Sequence, residues 1–297
     1  MIINDTQVQT LIEALPYLRD FKDKTIVVKY GGNAMLNDQI KNKVLQDVVF
    51  LQCAGMRPVV VHGGGPEITA MLLQAGKKSE FVSGLRVTDA ESVGIAEMAL
   101  VGKINTDLVA RLNTLGGRAV GLNGKDANLV QAKKHLADVY ENGEVNLVDI
   151  GYVGNVEHVN TELIEVLLAN GFIPVIAPTG VGTSGETYNI NADSVAGEIA
   201  GALKAEKLLV LTDVRGIYSD YRDENSFIST LTFEKAQELI IRGKIDGGMI
   251  PKVRACITAL SGGAKKTHII DGRAEHTILM EIFSDKGVGT EVVKELR

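Results

Sequence analysis

Short apolar runs alternate with longer amphipathic stretches along most of the chain. The predicted strands are Thr25–Tyr30, the run from Pro58 that ends in three glycines, Arg118–Asn123, Phe172–Thr179, Lys207–Asp213 and Lys265–Asp271. The predicted helices between them are Gln39–Cys53, Pro66–Gln74, Ala90–Leu115, Thr161–Asn170, Ala192–Leu203, Phe233–Ile241 and Ile250–Leu260. Continuous apolar strands that alternate with helices predict an α/β fold with a mainly parallel sheet covered on both faces.

Three segments depart from this alternation. Asp5–Arg19 carries five apolar residues at helical spacing and predicts an amphipathic helix, packed on its own domain or on another chain. Ala132–Val156 alternates polar and apolar residues, which predicts hairpins at the margin of the sheet. Gly180–Gly185 is polar and glycine-rich, and we interpret it as a mobile loop that joins two lobes, if two lobes exist.

The composition is that of a globular protein without a basic surface. Hydrophobic residues make up 45% and charged residues 23% of the chain, which excludes disorder. A net charge of −6 argues against nucleic-acid or anionic-membrane partners. No apolar run approaches the ~18 residues of a membrane helix, and no signal pattern opens the chain, so we expect a cytoplasmic protein. Cys53 and Cys256 are far apart and predict buried cytosolic thiols.

Glycines follow the first two predicted strands. Gly31 and Gly32 come after the first, and Gly63–Gly65 after the second. Ligands of open α/β sheets bind at the carboxyl ends of the strands, where glycine lets backbone N–H groups approach an anion. Two such loops beside Lys29 favour a phosphate site over two plain turns.

Familiar nucleotide and metal motifs are missing or out of context. The GGAKKT stretch near Gly262 lacks the first P-loop glycine and leads into a strand. The glycines at Gly180, Gly182 and Gly185 match a dinucleotide fingerprint, but no helix follows directly. The histidines have no ligand spacing, so we predict no metal held by the protein itself.

Two lysines are the candidates for catalysis. Lys29 ends the first strand, and Lys252 stands just inside a helix that follows a glycine pair. A lysine in either place can neutralise a phosphoryl group in transfer, although a single lysine is more often a solvated surface residue. Asp193, at a helix start, could bridge the lysines, hold a metal through a phosphate or only cap its helix. Asp213 closes a strand where a nucleotide would bind.

Six motifs in order resemble those of the amino-acid kinase superfamily, and within it those of the acetylglutamate kinase family. They are KYGG at Lys29, VVVHGGG at Val59, GLRVTD at Gly84, YNINAD at Tyr188, LTDVRGIY at Leu211 and GGMIPKV at Gly247. The resemblance covers residues 24–291 and implies an open αβα sandwich. It further implies an N-terminal helix in residues 1–22, an amino-acid-binding lobe in 23–180 and an ATP-binding lobe in 181–297.

The resemblance also implies the reaction and the roles of site residues. ATP would phosphorylate the γ-carboxylate of N-acetyl-L-glutamate, the second step of arginine biosynthesis, with Mg²⁺ arriving on the nucleotide. Lys29, Lys252 and Asp193 would be catalytic. The implied substrate-binding residues are Gly64, Gly65, Arg86, Asn189 and Asn191. The implied nucleotide-binding residues are Gly31, Gly32, Asp213, Val214, Arg215, Gly216, Ile217, Tyr218, Lys244, Ile245 and Asp246.

The helix before the first strand resembles that of the arginine-inhibited, hexameric members. In those members such helices interlace between dimers, so the resemblance implies a hexamer built as a trimer of dimers. The residues that would hold the inhibitor L-arginine are Tyr17, His268, Glu281, Gly287 and Gly289. The alternative is a helix packed on its own chain and an ordinary C-terminal turn.

Two other functions stay open from the sequence. A related kinase could act on an aminoadipate derivative, glutamate, carbamate or UMP. A non-catalytic sensor of arginine or of a nucleotide is the second alternative, against which the presence of both lysines and Asp193 argues.

Overall fold

The computed structural model describes residues 4–35, 37–141, 144–220, 222–245 and 247–295. Its strands are β1 (Thr25–Tyr30), β2 (Arg57–His62), β3 (Phe81–Val82), β4 (Leu85–Arg86), β5 (Ala119–Asn123), β6 (Val130–Glu141), β7 (Glu144–Val159), β8 (Ile173–Ala177), β9 (Thr179–Val181), β10 (Thr187–Asn189), β11 (Lys207–Thr212), β12 (Ile217–Tyr218), β13 (Phe227–Ile228), β14 (Thr230–Thr232), β15 (Lys266–Asp271) and β16 (Thr290–Val293).

The helices follow the amphipathic stretches of the sequence. They are α1 (Asp5–Phe21), α2 (Asp38–Cys53), α3 (Gly65–Gln74), α4 (Ala90–Glu97), α5 (Thr106–Thr114), α6 (Glu162–Ala169), α7 (Ala192–Ala202), α8 (Phe233–Ile241), α9 (Met249–Gly262) and α10 (Thr277–Ile282). A π-helical segment, Met98–Asn105, joins α4 to α5. Short 3₁₀ turns cover Gly32–Met35, Asp126–Asn128 and Glu224–Ser226. In the part of the chain described, no helix combines the length and apolarity needed to cross a membrane.

An eight-stranded sheet in the order β14-β16-β15-β11-β1-β2-β8-β5 forms the centre of the fold. The strands from β15 to β5 are parallel, whereas β16 runs antiparallel to β15. β1 lies between β2 and β11, so the later strands are added to the sheet on both sides of β1. Such a reversal of strand order opens a crevice at the carboxyl ends of the strands, which is where α/β proteins bind ligands.

Each face of the sheet covers its own apolar core. Ile26, Val28 and Tyr30 of β1 pack into one core, together with residues of α2 and α5. Val27 packs into the other core, with residues of α7 and α9. Because side chains alternate along a strand, Lys29 shares the face of Val27 and is directed toward α7 and α9. The sheet is therefore the middle layer of an αβα sandwich.

The hairpin predicted at the margin of the sheet has a different place. β6 and β7 pair antiparallel and close a four-stranded barrel with β9 and β10. Of the loop predicted at Gly180–Gly185, Gly180 and Val181 belong instead to strand β9 and pair with Tyr188 and Thr187, and only residues 182–185 lie in the turn of the β9–β10 hairpin. Strands from both sides of residue 180 share the central sheet. The division into lobes at 23–180 and 181–297 stays a prediction.

Helix α1 lies on the surface of the chain. Its cap is Asn4, whose side chain accepts a hydrogen bond from the Gln7 N–H. None of its residues is buried, and its apolar positions include Leu11, which is 63% exposed. The expectation of two buried thiols was wrong for Cys53, which is exposed at the end of α2, while Cys256 is buried.

Candidate active site

Two lysines from distant parts of the chain share one carboxylate. Lys29 Nζ at the end of β1 lies 2.9 Å from Asp193 Oδ1, and Lys252 Nζ in the first turn of α9 lies 3.1 Å from Asp193 Oδ2. Asp193 does not cap α7, as the sequence allowed, because the cap is Asn191, whose Oδ1 accepts the Asp193 N–H at 2.8 Å. Asp193 thus has both carboxylate oxygens directed at the ammonium groups.

Burial and charge oppose each other in this cluster. Burial lowers the pKa of Lys29 below its ordinary value, and the negative charge of Asp193 offsets only part of that shift. Burial alone would raise the pKa of Asp193, but the charges of Lys29 and Lys252 outweigh it and hold this pKa below its ordinary value. Asp193 is therefore an anion at neutral pH, which is the state that can hold two cations together.

The two glycine loops touch each other beside Lys29. A Cβ atom on Gly31 would lie 3.0 Å from the Cα of Gly63 and 3.3 Å from Lys29 Nζ. Gly32 has a φ of 70°, which favours glycine. These glycines allow the backbones that follow β1 and β2 to approach each other at the crevice. The anion site at these loops stays a prediction.

A large cavity opens on one side of Lys29 and Lys252. It has a volume of about 860 Å³, within the range of small-molecule sites. The predicted nucleotide residues that line it are Gly31, Gly32, Asp213, Val214, Gly216, Ile217, Tyr218, Lys244 and Ile245. Arg215 is not among the lining residues, because its guanidinium lies over the ring of Phe227, 4.6 Å from the ring centre. Asp246 lies outside the described residues.

A smaller cavity opens on the other side of Lys29. Its volume is about 220 Å³, and it shares Lys29 and Gly32 with the large cavity. The predicted substrate and catalytic residues that line it are Gly64, Gly65, Arg86, Asn189, Asn191 and Asp193. Two cavities that meet at a lysine suit a reaction in which a group passes from one ligand to another.

Arg86 is held in place at the wall of the small cavity. Its Nη2 donates hydrogen bonds to the Gly65 carbonyl at 3.0 Å and to Thr69 Oγ1 at 2.8 Å, while Nη1 donates to Ser79. The guanidinium also lies over the ring of Phe81. These contacts use three of the five guanidinium N–H groups, so a group on Nε and one on Nη1 remain to donate to an anion in the cavity.

The residues predicted to bind arginine line a separate cavity of about 600 Å³. They are Tyr17, His268, Glu281, Gly287 and Gly289. Glu281 is buried and lies 3.3 Å from Lys207 Nζ and 2.9 Å from His268 Nδ1. Burial alone would raise the pKa of Glu281, but the hydrogen bond from His268 and the charge of Lys207 outweigh it and hold this pKa at about 2.

Comparison with known proteins decides the family. A family profile described as the amino acid kinase family matches residues 24–271. The chain belongs to the amino acid kinase family. An acetylglutamate kinase of Moorella thermoacetica is 59% identical over 283 residues, which is 95% of this chain and 96% of that relative. The predicted family, the mainly parallel α/β fold and the kinase activity are thereby confirmed.

Solved structures of another protein share this fold. An N-acetylglutamate synthase of Neisseria gonorrhoeae, in complex with coenzyme A and N-acetyl-glutamate, has a TM-score of 0.82 and 27% identity. The alignment covers 98% of this kinase but only 64% of the synthase. The same synthase in complex with coenzyme A and L-arginine has a TM-score of 0.79 and 26% identity, over 97% of this chain and 65% of that one.

Sequence reasoning missed several residues that line the small cavity. Phe81, Leu100 and Val153 form an apolar part of the small cavity. Leu100 belongs to the π-helical segment, which ends at Asn105. Periodicity predicted a regular helix across this segment, because a π turn changes which residues face inward without changing the composition.

Proposed function

We propose that this kinase transfers the γ-phosphoryl group of ATP to the side-chain carboxylate of N-acetyl-L-glutamate, in the cytoplasm, as the second step of arginine biosynthesis. ADP and N-acetyl-L-glutamyl 5-phosphate are the products. The observation that carries the proposal is the meeting of the two cavities at Lys29, with Asp193 and Lys252 beside it. High identity to acetylglutamate kinases supports the choice of acceptor.

The chemistry requires positive charge rather than a general base. A γ-carboxylate has an ordinary pKa of ~4.3 and is ionised at neutral pH, so no group must remove a proton from the nucleophile. The barrier is the repulsion between that carboxylate and the γ-phosphate. Lys29 and Lys252 reduce the repulsion and stabilise the charge on the transferred group, and Asp193 holds both ammonium groups at the junction.

The small cavity would hold the acetylated amino acid. Arg86 would bind its α-carboxylate, since the guanidinium is held at the cavity wall and keeps N–H donors on Nε and Nη1. Gly64 and Gly65 would donate backbone N–H groups at the start of α3. Asn191 uses its oxygen to cap α7, so its amide NH₂ would face the substrate, together with Asn189.

The large cavity would hold ATP. Gly31 and Gly32 would contact the phosphates, and the stretch from Asp213 to Tyr218, with Lys244 and Ile245, would line the nucleoside. Hard oxygen ligands suit Mg²⁺, and among the described residues that line this cavity the acidic one is Asp213. Mg²⁺ bound to the nucleotide would neutralise part of its phosphate charge.

An acceptor panel tests the reaction. ADP release is measured with ATP, Mg²⁺ and one of N-acetyl-L-glutamate, glutamate, carbamate, UMP or an aminoadipate derivative. We expect turnover with N-acetyl-L-glutamate at a kcat/KM at least 100-fold above the others. Turnover with another acceptor alone would show a related kinase, and no turnover with any would favour a sensor of arginine or of a nucleotide.

We further propose that L-arginine binds the cavity around Glu281 and inhibits the enzyme by raising the apparent KM for N-acetyl-L-glutamate. The acid of Glu281 would pair with the guanidinium of the ligand, and the loop that contains Gly287 and Gly289 would bind its carboxylate. Tyr17 of α1 and His268 of β15 line the same cavity. The arginine complex of the related synthase supports this assignment.

A homo-oligomer, assembled as a trimer of dimers, is the proposed assembly. Helix α1 exposes an apolar stripe made of Val8, Leu11, Ile12 and Leu15. A single exposed apolar residue requires no explanation, but a stripe at helical spacing favours a partner helix. Since Tyr17 lies on the same helix, the assembly would place the arginine cavity next to the contact between dimers.

A further inference from the structure

A buried histidine and asparagine lie directly behind the second glycine loop. His62 ends β2 and is fully buried. Asn105 Nδ2 lies 3.1 Å from His62 Nε2, 2.8 Å from the Val175 carbonyl and 3.4 Å from the Leu122 carbonyl. A carbonyl oxygen can only accept, so the NH₂ side of the amide faces these partners.

These contacts fix the tautomer of His62. Because the Gly63 carbonyl can only accept, the proton of the neutral ring is on Nδ1, which donates to it at 2.9 Å, and Nε2 can accept from the Asn105 NH₂. Burial lowers the pKa of His62 to about 4, so the ring is neutral at physiological pH. The ring therefore brings no additional charge to the site.

The bond from His62 sets the direction of one peptide group. In a planar trans peptide, the C=O of Gly63 and the N–H of Gly64 point in opposite directions. Within the described ranges, the Gly64 N–H has no acceptor in the protein, and Gly64 lines the small cavity. Because the ring of His62 holds the Gly63 carbonyl toward the core, the Gly64 N–H points the other way, out of the core.

The π-helical segment braces the same loop from the side. Asn105 is its last residue, and a Cβ atom on Gly64 would lie 2.7 Å from Leu100 Cδ2 and 2.5 Å from Ile104 Cδ1. π-helical turns are rare in proteins, and those that occur are often found at functional sites. One irregular segment thus supplies both the hydrogen bond to His62 and the apolar wall against Gly64.

We propose that His62 and Asn105 are positioning residues, which orient the Gly63–Gly64 peptide so that the Gly64 N–H donates to the acetylated substrate. The proposal rests on the proposed function, which assigns the small cavity to N-acetyl-L-glutamate. Neither side chain needs to touch the substrate, because His62 Nδ1 is hydrogen-bonded to the Gly63 carbonyl and Asn105 acts through His62 Nε2. Their action on the substrate passes through one peptide group.

The tautomer can be read in the intact enzyme. We label the full-length protein with ¹⁵N-histidine and assign the His62 ring signals by their loss in His62→Phe. We expect the neutral Nδ1–H form at pH 7. An Nε2–H tautomer or an imidazolium at this pH would overturn the proposal without requiring any variant to be active.

Steady-state kinetics then separate positioning from general stability. In His62→Phe we expect the KM for N-acetyl-L-glutamate to rise at least tenfold (~1.4 kcal/mol), with the KM for ATP within twofold of the wild type. Asn105→Leu, which removes the donor to Nε2, should move the same KM in the same direction. The matched control is Thr267→Val on β15, which loses a buried hydrogen bond to the Val292 carbonyl of β16. An unchanged KM in His62→Phe would refute the positioning role.

A third variant separates this proposal from the site assignment. Arg86→Ala should raise the KM for N-acetyl-L-glutamate if the small cavity binds that substrate. If Arg86→Ala raises it and His62→Phe does not, the positioning role is wrong and the site assignment stands. If neither variant changes it, the assignment of the cavity fails, and the positioning role fails with it.

Discussion

Lys29 and Lys252 bind opposite oxygens of the same buried carboxylate, at 2.9 and 3.1 Å, although one lies near the end of β1 and the other in the first turn of α9. Two ammonium groups this close would repel each other without the anion between them. Asp193 therefore permits a concentration of positive charge at the point where the two cavities meet. This arrangement suits the transfer of a phosphoryl group between two anions.

Removal of the shared anion should change the pH dependence of turnover. In Asp193→Asn, Lys29 keeps the burial that lowers its pKa and loses the negative charge that raises it. The pKa of Lys29 should fall further, so activity that needs the protonated lysine should disappear at a lower pH than in the wild type. We expect kcat at pH 7 to fall ~100-fold or more.

The measurement for Asp193→Asn is a kcat profile from pH 6 to 10. Glu238→Gln on the exposed face of α8, whose carboxylate pairs with Lys235 and Arg242, is a charge-matched control. Superimposable alkaline limbs for Asp193→Asn and the wild type would contradict the proposed coupling between Asp193 and Lys29.

Glu281 should control arginine inhibition without serving catalysis. In Glu281→Gln the proposed partner of the guanidinium loses its charge, so the arginine concentration for half-inhibition should rise at least tenfold. The kcat and KM without arginine should stay within twofold, because this cavity is separate from those at Lys29. Glu291→Gln, at an acid that lines the same cavity and pairs with Lys266, is the matched control. Full inhibition of Glu281→Gln at the wild-type concentration would refute the assignment.

His62 should make the fold sensitive to mild acid. Its pKa is about 4 in the folded chain and ~6.5 when exposed, so between these values the unfolded state binds the additional proton. Stability from this group is therefore lost as the pH falls through this window, by about 2 kcal/mol between pH 7 and pH 5. Urea titrations at both pH values should show this loss in the wild type and a correspondingly smaller one in His62→Phe. An equal loss in both proteins would be contrary to the prediction.

Helix α1 should link one dimer to the next in the proposed hexamer. Removal of residues 1–19 takes away the exposed apolar stripe, and we expect sedimentation velocity to show dimers in place of a hexamer. Leu11→Lys should have the same effect with the helix retained, because a charge enters the stripe. Gln9→Lys, elsewhere on the exposed helix, is the control and should leave the mass unchanged. A hexamer that survives both the deletion and Leu11→Lys would exclude α1 from the contact.

The parallel part of the fold could be predicted because its strands are buried on both faces. Such strands are continuous apolar runs, and β1 begins and ends where the pattern placed it. The short strands β14 and β16 lack a run of this kind and depend on pairing with each other and with β15. Helix α10 begins after His276, which has a φ of 55°. The periodicity of apolar residues does not indicate a helix start at such a residue.

The junction of the site could be predicted for a similar reason. Lys29 lies near the end of β1, Gly31 follows β1 and Gly63 follows β2, and the carboxyl ends of such parallel strands meet at one edge. The contact of His62 with Asn105 could not be predicted from the sequence. It joins the end of a strand to a π-helical segment, and the apolar pattern does not distinguish that segment from a regular helix. Arg215 belongs to the same motif as Asp213 and Gly216 but does not line the large cavity, because its guanidinium stacks on the ring of Phe227.

The convergence of the two lysines is tested most directly by the kcat of Lys252→Met, which keeps the length of the side chain and removes its charge. The control is Lys235→Met on the exposed surface of α8. With N-acetyl-L-glutamate and ATP both saturating, we predict a kcat ~100-fold to ~1,000-fold below the wild type, at an unchanged melting temperature. A kcat within twofold of the wild type would contradict the account of Lys252 as a charge on the transferred phosphoryl group.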